Sequence, residues 1–147
     1  MTVYKRNRHV SGFKFFHLAL DIRVEVNKIM LQESAVPKRY RLTNGLPTIE
    51  AARSIVYNIN RADCFYPNRE ENVIERKKYL TLAIADCEQL CLDLQCMLKM
   101  NLPVKPSCLE NLIGMLDEEI ELLKGARKRV RLVGKASKVG EDDLQCD

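Results

Sequence analysis

Apolar residues recur along this chain with helical spacing. In the first segment Phe15, Ala19, Ile22, Val26 and Ile29 step by four and three in turn, which lays them on one face of a helix. The spacing predicts a helix from about Gly12 to Glu33. It must stop before Val36-Pro37, because a residue preceding proline is pushed out of the α region. A second stripe holds Ile49, Ala52, Ile55 with Val56, Ile59 and Ala62. Pro47 is tolerated only in the first turn of that helix, which sets its start near Asn44 to Leu46.

After a turn at Cys64-Phe65-Tyr66-Pro67-Asn68, Asn68 and Glu71 have the spacing of a capping box. The third stripe runs Leu80, Ile84, Cys87, Cys91, Leu94 and Leu98, and predicts a helix from Arg69 to Met100. At 1.5 Å per residue it is about 45 Å long. A connection with Pro103 and Pro106 follows, then Ser107 and Glu110 as a second capping-box pair, then a helix carrying Leu109, Leu112, Leu116, Ile120 and Leu123. Apolar residues also lie off the main stripes: Phe13, Phe16, Leu20, Val24 and Met30 on helix one, and Leu82, Leu90, Leu92 and Met97 on helix three. Some of these are expected to face a second chain.

No convincing strand alternation interrupts this pattern. The fold class is therefore all-α, an antiparallel up-down-up-down four-helix bundle that assembles into a homo-oligomer. The chain has 147 residues, 46% hydrophobic and 30% charged, the profile of one globular domain. Three parts are expected: a basic N-terminal stretch at 1–11, the bundle at 12–133, and a tail with an acidic end at 134–147. Both outer parts are expected to be disordered. No apolar run is long enough to span a bilayer and no signal-type apolar core follows the basic start, so a cytoplasmic protein is expected.

The net charge of +4 is unevenly spread. Residues 1–41 carry nine Lys/Arg against three acids, while 42–123 carry eight against thirteen. Residues 124–138 hold seven bases and no acid, and the last nine residues hold four acids and no base. A block as dense as Lys124, Arg127, Lys128, Arg129 and Arg131 can neutralise phosphates. Equally, cations at a helix C-terminus complement its macrodipole. Lys38-Arg39-Tyr40-Arg41 interleaves bases with an aromatic, a pattern that clamps a phosphate and stacks on a base, or simply solvates a corner. Arg53 and Arg61 add bases on helix two, and Arg76, Lys77 and Lys78 on helix three.

Catalytic patterns are missing. The sequence has no glycine-rich phosphate loop, no nucleophile elbow and no H-E-x-x-H. The six cysteines form no C-x-x-C pair. Cys87 and Cys91 occupy stripe positions and read as core packing, with no metal or cofactor expected. His17 reads as a packed surface residue. Asp117, Glu118, Glu119 and Glu121 read as a charged outer face of helix four rather than paired catalytic carboxylates. An enzyme is not expected.

Several short stretches resemble one bacterial four-helix-bundle family. They are Val36-Pro37-Lys38-Arg39-Tyr40-Arg41-Leu42 at the first corner, Ala51-Ala52-Arg53-Ser54-Ile55 and Asn58-Ile59-Asn60-Arg61-Ala62 on helix two, Arg76, Leu80, Ala83-Ile84, Cys87 and Leu90 on helix three, and Leu122-Leu123-Lys124-Gly125-Ala126-Arg127-Lys128 near the end. The family contains the accessory variability determinant (Avd) proteins of diversity-generating retroelements and the proteins encoded by 23S rRNA intervening sequences. The resemblance covers about residues 13–131, with Ala126 where the family usually has Trp. It implies a non-catalytic homopentamer that binds reverse transcriptase and template RNA through a basic surface and supports mutagenic cDNA synthesis. The candidate nucleic-acid-binding residues are Lys38, Arg39, Arg41, Arg53, Arg61, Arg127, Lys128, Arg129 and Arg131. The intervening-sequence branch of the same resemblance implies instead an oligomeric protein-binding scaffold with no direct nucleic-acid role.

Overall fold

The computed structural model describes residues 13–133. The basic N-terminal stretch and the acid-ended tail, with His9 and Cys146, lie outside the described residues. Four α-helices make up the described part: α1 (Lys14–Met30), α2 (Leu46–Cys64), α3 (Glu70–Lys99) and α4 (Pro106–Arg129). There is no strand among the described residues. Each helix packs on the next in sequence, and α1 also packs on α4, so the four close around a common core. None of the described helices is long and apolar enough to cross a membrane.

Helix boundaries follow local chemistry, with three corrections to the sequence reading. α1 ends at Met30, about a turn earlier than its apolar period allowed. Ala35 and Val36 then turn inward and are buried, and burying this pair ends the helix before Pro37 acts. Between α1 and α2 the chain does not run as a loop. A 3-10 turn (Lys38–Tyr40) leads into a wide π turn (Arg41–Gly45) that joins α2 directly, with Pro47 in its first turn as expected. Neither capping box forms. α3 starts from Arg69 and α4 from Lys105, both without a side-chain cap. The Asn68 Oδ1 accepts from Asn72 Nδ2 at 3.0 Å instead, and Pro106 takes the first turn of α4, which moves Ser107 into the helix.

α3 is closed by backbone geometry. Asn101 adopts φ 58°, its N–H donates to the Leu98 carbonyl at 3.0 Å, and the Leu102 N–H donates to the Met97 carbonyl at 3.2 Å. This is the paired bonding of a Schellman terminator, with Leu102 and Met97 both buried at its apolar contact positions.

The core contains Ile22, Val26 and Met30 from α1, Ile55 and Ile59 from α2, Leu90 and Leu94 from α3, and Leu112, Leu116 and Leu123 from α4. Each such side chain contributes about 2 kcal/mol by leaving water. On α3 the buried face is rotated from the predicted stripe. Leu90 and Met97 are buried, whereas Cys91 is half-buried and Leu98 exposed. The cause is that α3 packs on both α2 and α4, and the face directed at two neighbours lies between the two stripes a single seam would use. Met30 likewise joins the core rather than the surface, while Phe13, Leu20, Val24, Leu82 and Leu92 remain exposed.

Candidate nucleic-acid interface

Residues four apart on a helix stack along one face, so Arg53, Tyr57 and Arg61 form a ladder on the outside of α2. The Arg61 guanidinium carbon lies 3.8 Å from the centre of the Tyr57 ring, and that of Arg53 lies 6.0 Å from it. Tyr57 is exposed. The ladder rests on a polar clasp to α3. Asp86 Oδ2 accepts from Ser54 Oγ at 2.7 Å and from Asn58 Nδ2 at 2.6 Å. Asn58 is itself buried, so the clasp fixes the rotation of α2 and hence the outward aim of the ladder.

A second group sits at the turn before α2. Lys38 and Arg39 are exposed, and the Arg39 guanidinium lies 4.7 Å from the Tyr40 ring centre. Arg41 is half-buried, with its Nε enclosed and without a hydrogen-bond partner. Asn44 Nδ2 donates to Met100 Sδ at 3.4 Å, which brings this turn to the C-terminal end of α3.

The third group ends α4. Arg127 donates to Thr81 Oγ1 on α3 at 3.1 Å, while Lys128, Arg129 and Arg131 are exposed. Beyond the helix, the Val133 N–H donates to the Pro67 carbonyl at 2.9 Å and holds residues 130–133 against the α2–α3 turn. Arg76 belongs to the scaffold rather than to a ligand surface. Its guanidinium donates to the Ala62 and Phe65 carbonyls at 3.3 and 3.2 Å and sits 3.7 Å from Asp63. It thereby satisfies carbonyls at the C-terminus of α2.

Acid pairing divides the described bases but does not single out these groups, since Arg23, Arg69, Lys77, Lys99 and Lys105 also lack a carboxylate within 4.0 Å among the described residues. Lys14, Lys28, Arg76, Lys78 and Lys124 each have a carboxylate within 4.0 Å. Among the described residues, none of Lys38, Arg39, Arg41, Arg53, Arg61, Arg127, Lys128, Arg129 and Arg131 has an acid partner at that distance. A base held by a carboxylate must give up that pair to reach a phosphate; these nine need not. The groups are nevertheless separate. The turn at Lys38–Arg41 precedes α2, and Arg61 lies near its far end, about a helix length of roughly 28 Å away.

One residue escaped the sequence reading. Glu119 occupies a seam position between Leu116 and Leu123 and is fully buried, and both its carboxylate oxygens lack a hydrogen-bond partner. Ile120 is only half-buried. The expected charged outer face of α4 is thus interrupted. Burial, then the neighbouring Glu118 charge, pushes the Glu119 carboxyl up to about 8. Its step of three from Leu116 and four to Leu123 was the available signal. Cys87 is buried, and desolvation followed by the Glu119 charge pushes its thiol well above the ordinary range, so it sits as an apolar side chain. Cys91 is half-buried with its thiol raised by desolvation, Cys64 and Cys96 are exposed, and Cys108 is half-buried. His17 is exposed and meets the edge of the Phe16 ring at 6.2 Å. Among the described residues no cluster of three or more His, Cys, Asp or Glu is placed to hold a metal.

Comparison with protein-family models, with curated proteins and with solved structures finds no match to this chain.

Proposed function

We propose that this protein is a non-catalytic accessory subunit of a diversity-generating retroelement. In this reading it is an antiparallel up-down-up-down bundle that forms a homopentamer in the cytoplasm. It binds reverse transcriptase and template RNA through its basic surface and so supports mutagenic cDNA synthesis. The observation that supports the reading is that bases without an acid partner among the described residues gather beside aromatic rings, Arg53 and Arg61 at Tyr57 on α2 and Arg39 at Tyr40 in the turn before it, with Arg127, Lys128, Arg129 and Arg131 closing α4. Such groups contact phosphates without reading bases, and Tyr40 and Tyr57 add faces on which an unpaired base can stack. Separate weak patches repeated around an oligomer act as one avid surface.

The test is titration of a single-stranded RNA by fluorescence anisotropy between 50 and 200 mM salt. Roughly six to ten phosphate contacts lower the affinity by about 10³–10⁵ over that range. Affinity that is flat with salt, or absent at low salt, overturns the reading. Co-expression with a retroelement reverse transcriptase checks the protein partner by co-purification.

A second reading, an oligomeric protein-binding scaffold of the intervening-sequence type, is favoured by the exposed apolar pair Leu20 and Val24 on α1, with Leu82 and Leu92 on α3. RNA affinity no greater than that of a neutral bundle of the same size, together with an oligomeric mass by light scattering, selects it.

A further inference from the structure

Where α1 begins and α4 ends, the structure contains a cavity of about 470 Å³. Its walls are largely apolar and include Phe15, Ile59, Ala62, Leu80, Ala126 and Val130, contributed by all four helices and the residue that caps α4. Two of the wall positions, Ala62 on α2 and Ala126 on α4, carry only a methyl group, which leaves space there that a larger side chain would take. The Val133–Pro67 hydrogen bond ties together two further lining residues, one after α4 and one in the α2–α3 turn.

The charge at the rim has a definite sign. Asp63 and Arg76 both line the cavity but hold each other at 3.7 Å, and Arg76 is further engaged by two backbone carbonyls. Arg129 and Arg131 also line it, are exposed, and have no acid partner among the described residues. An apolar chamber of ligand size is thus lined by two guanidinium groups with no acid partner among the described residues. A purely apolar occupant leaves those charges unanswered, and a small inorganic anion leaves the chamber unfilled. We propose that the cavity binds an amphiphilic monoanion, a medium-length hydrocarbon or aromatic body inside with a carboxylate held by Arg129 and Arg131. Guanidinium forks match a carboxylate geometrically and form charge-assisted hydrogen bonds with it. The proposal does not rest on nucleic-acid binding, and its test contains none.

The test is isothermal titration of the full chain with octanoate and, as a neutral head on the same hydrocarbon length, octan-1-ol. Octanoate is expected to bind saturably at one site per chain, and octan-1-ol at least about tenfold more weakly. Ala126→Trp, which places an indole in the chamber and takes up part of its space, should weaken octanoate binding. Arg129→Gln with Arg131→Gln, at exposed positions that do not bear on folding, should reduce octanoate to the affinity of octan-1-ol. Lack of saturable octanoate binding overturns the proposal, as it would if the chain's own tail filled the chamber. Equal affinity for the two ligands, or octanoate binding untouched by the arginine changes, overturns it as well.

Discussion

The guanidinium of Arg61 stacks 3.8 Å from the centre of the Tyr57 ring one turn earlier on the exposed face of α2. The contact holds a long flexible base in place before any ligand arrives, at about 0.5–1 kcal/mol for an exposed pair. It also presents an aromatic ring and a positive charge side by side, which is the arrangement a nucleotide's base and phosphate require.

Tyr57→Ala is therefore expected to weaken single-stranded RNA binding by about 1–3 kcal/mol, the range for loss of one stacked base. Tyr57→Phe keeps the ring and should bind as the parent does. Anisotropy titration at one salt concentration, with a melting curve to confirm that both variants fold, decides this. Equal affinity of the Ala variant would remove the ladder from the interface.

Neutralising Arg127, Lys128, Arg129 and Arg131 to Gln should flatten the salt dependence. Each phosphate contact contributes about 0.7 to the slope of log affinity against log salt for a single strand, so the full set lowers the slope by about 3. A slope unchanged within error would show that the end of α4 does not touch the nucleic acid.

Glu119 ties stability to pH. Its carboxyl titrates at about 8 in the folded chain against 4.5 when unperturbed, because it is buried without a partner. Between those values the folded chain keeps a proton that the unfolded chain has released. The stability linked to this group is thus fully present below about pH 4.5 and is lost as pH rises through about 8, at up to about 1.4 kcal/mol per unit. Urea unfolding of the parent and of Glu119→Gln at pH 5 and pH 8.5 measures it. The two should be close at pH 5, and the Gln variant should be the more stable by a few kcal/mol at pH 8.5. Parallel pH dependence of both chains would contradict the assignment.

Asp86→Ala leaves the Asn58 amide and the Ser54 hydroxyl without their shared acceptor between α2 and α3. Stranding a buried polar group costs about 1–3 kcal/mol, so the urea midpoint should fall accordingly. The Arg53–Tyr57–Arg61 face depends on the same clasp, and RNA affinity should fall with it below that of a Tyr57→Phe control.

Much of the helical architecture was legible in the chain. The four apolar periods located all four helices to within about a turn; Pro47 marked the start of α2 and the Pro103–Pro106 connection the passage from α3 to α4, whereas α1 ended before Pro37 could act. The candidate bases could also be picked out, since charge density is a property of composition. The capping boxes were not legible, because Asn68 had a competing partner in Asn72 and Pro106 pre-empted Ser107.

What the amino-acid order determined by itself is helical periodicity and the places where it must stop, since both depend on residues within a turn of one another. Which neighbouring stripe of α3 went inside, with Leu90 and Met97 displacing Cys91 and Leu98, was decided by two helices arriving from different directions. The same holds for Glu119, whose polar identity argued for water and whose position left it none, and for the end cavity, which exists only where four helices converge around Ala62 and Ala126. Burial is a relation between distant segments, and local spacing carries no record of them.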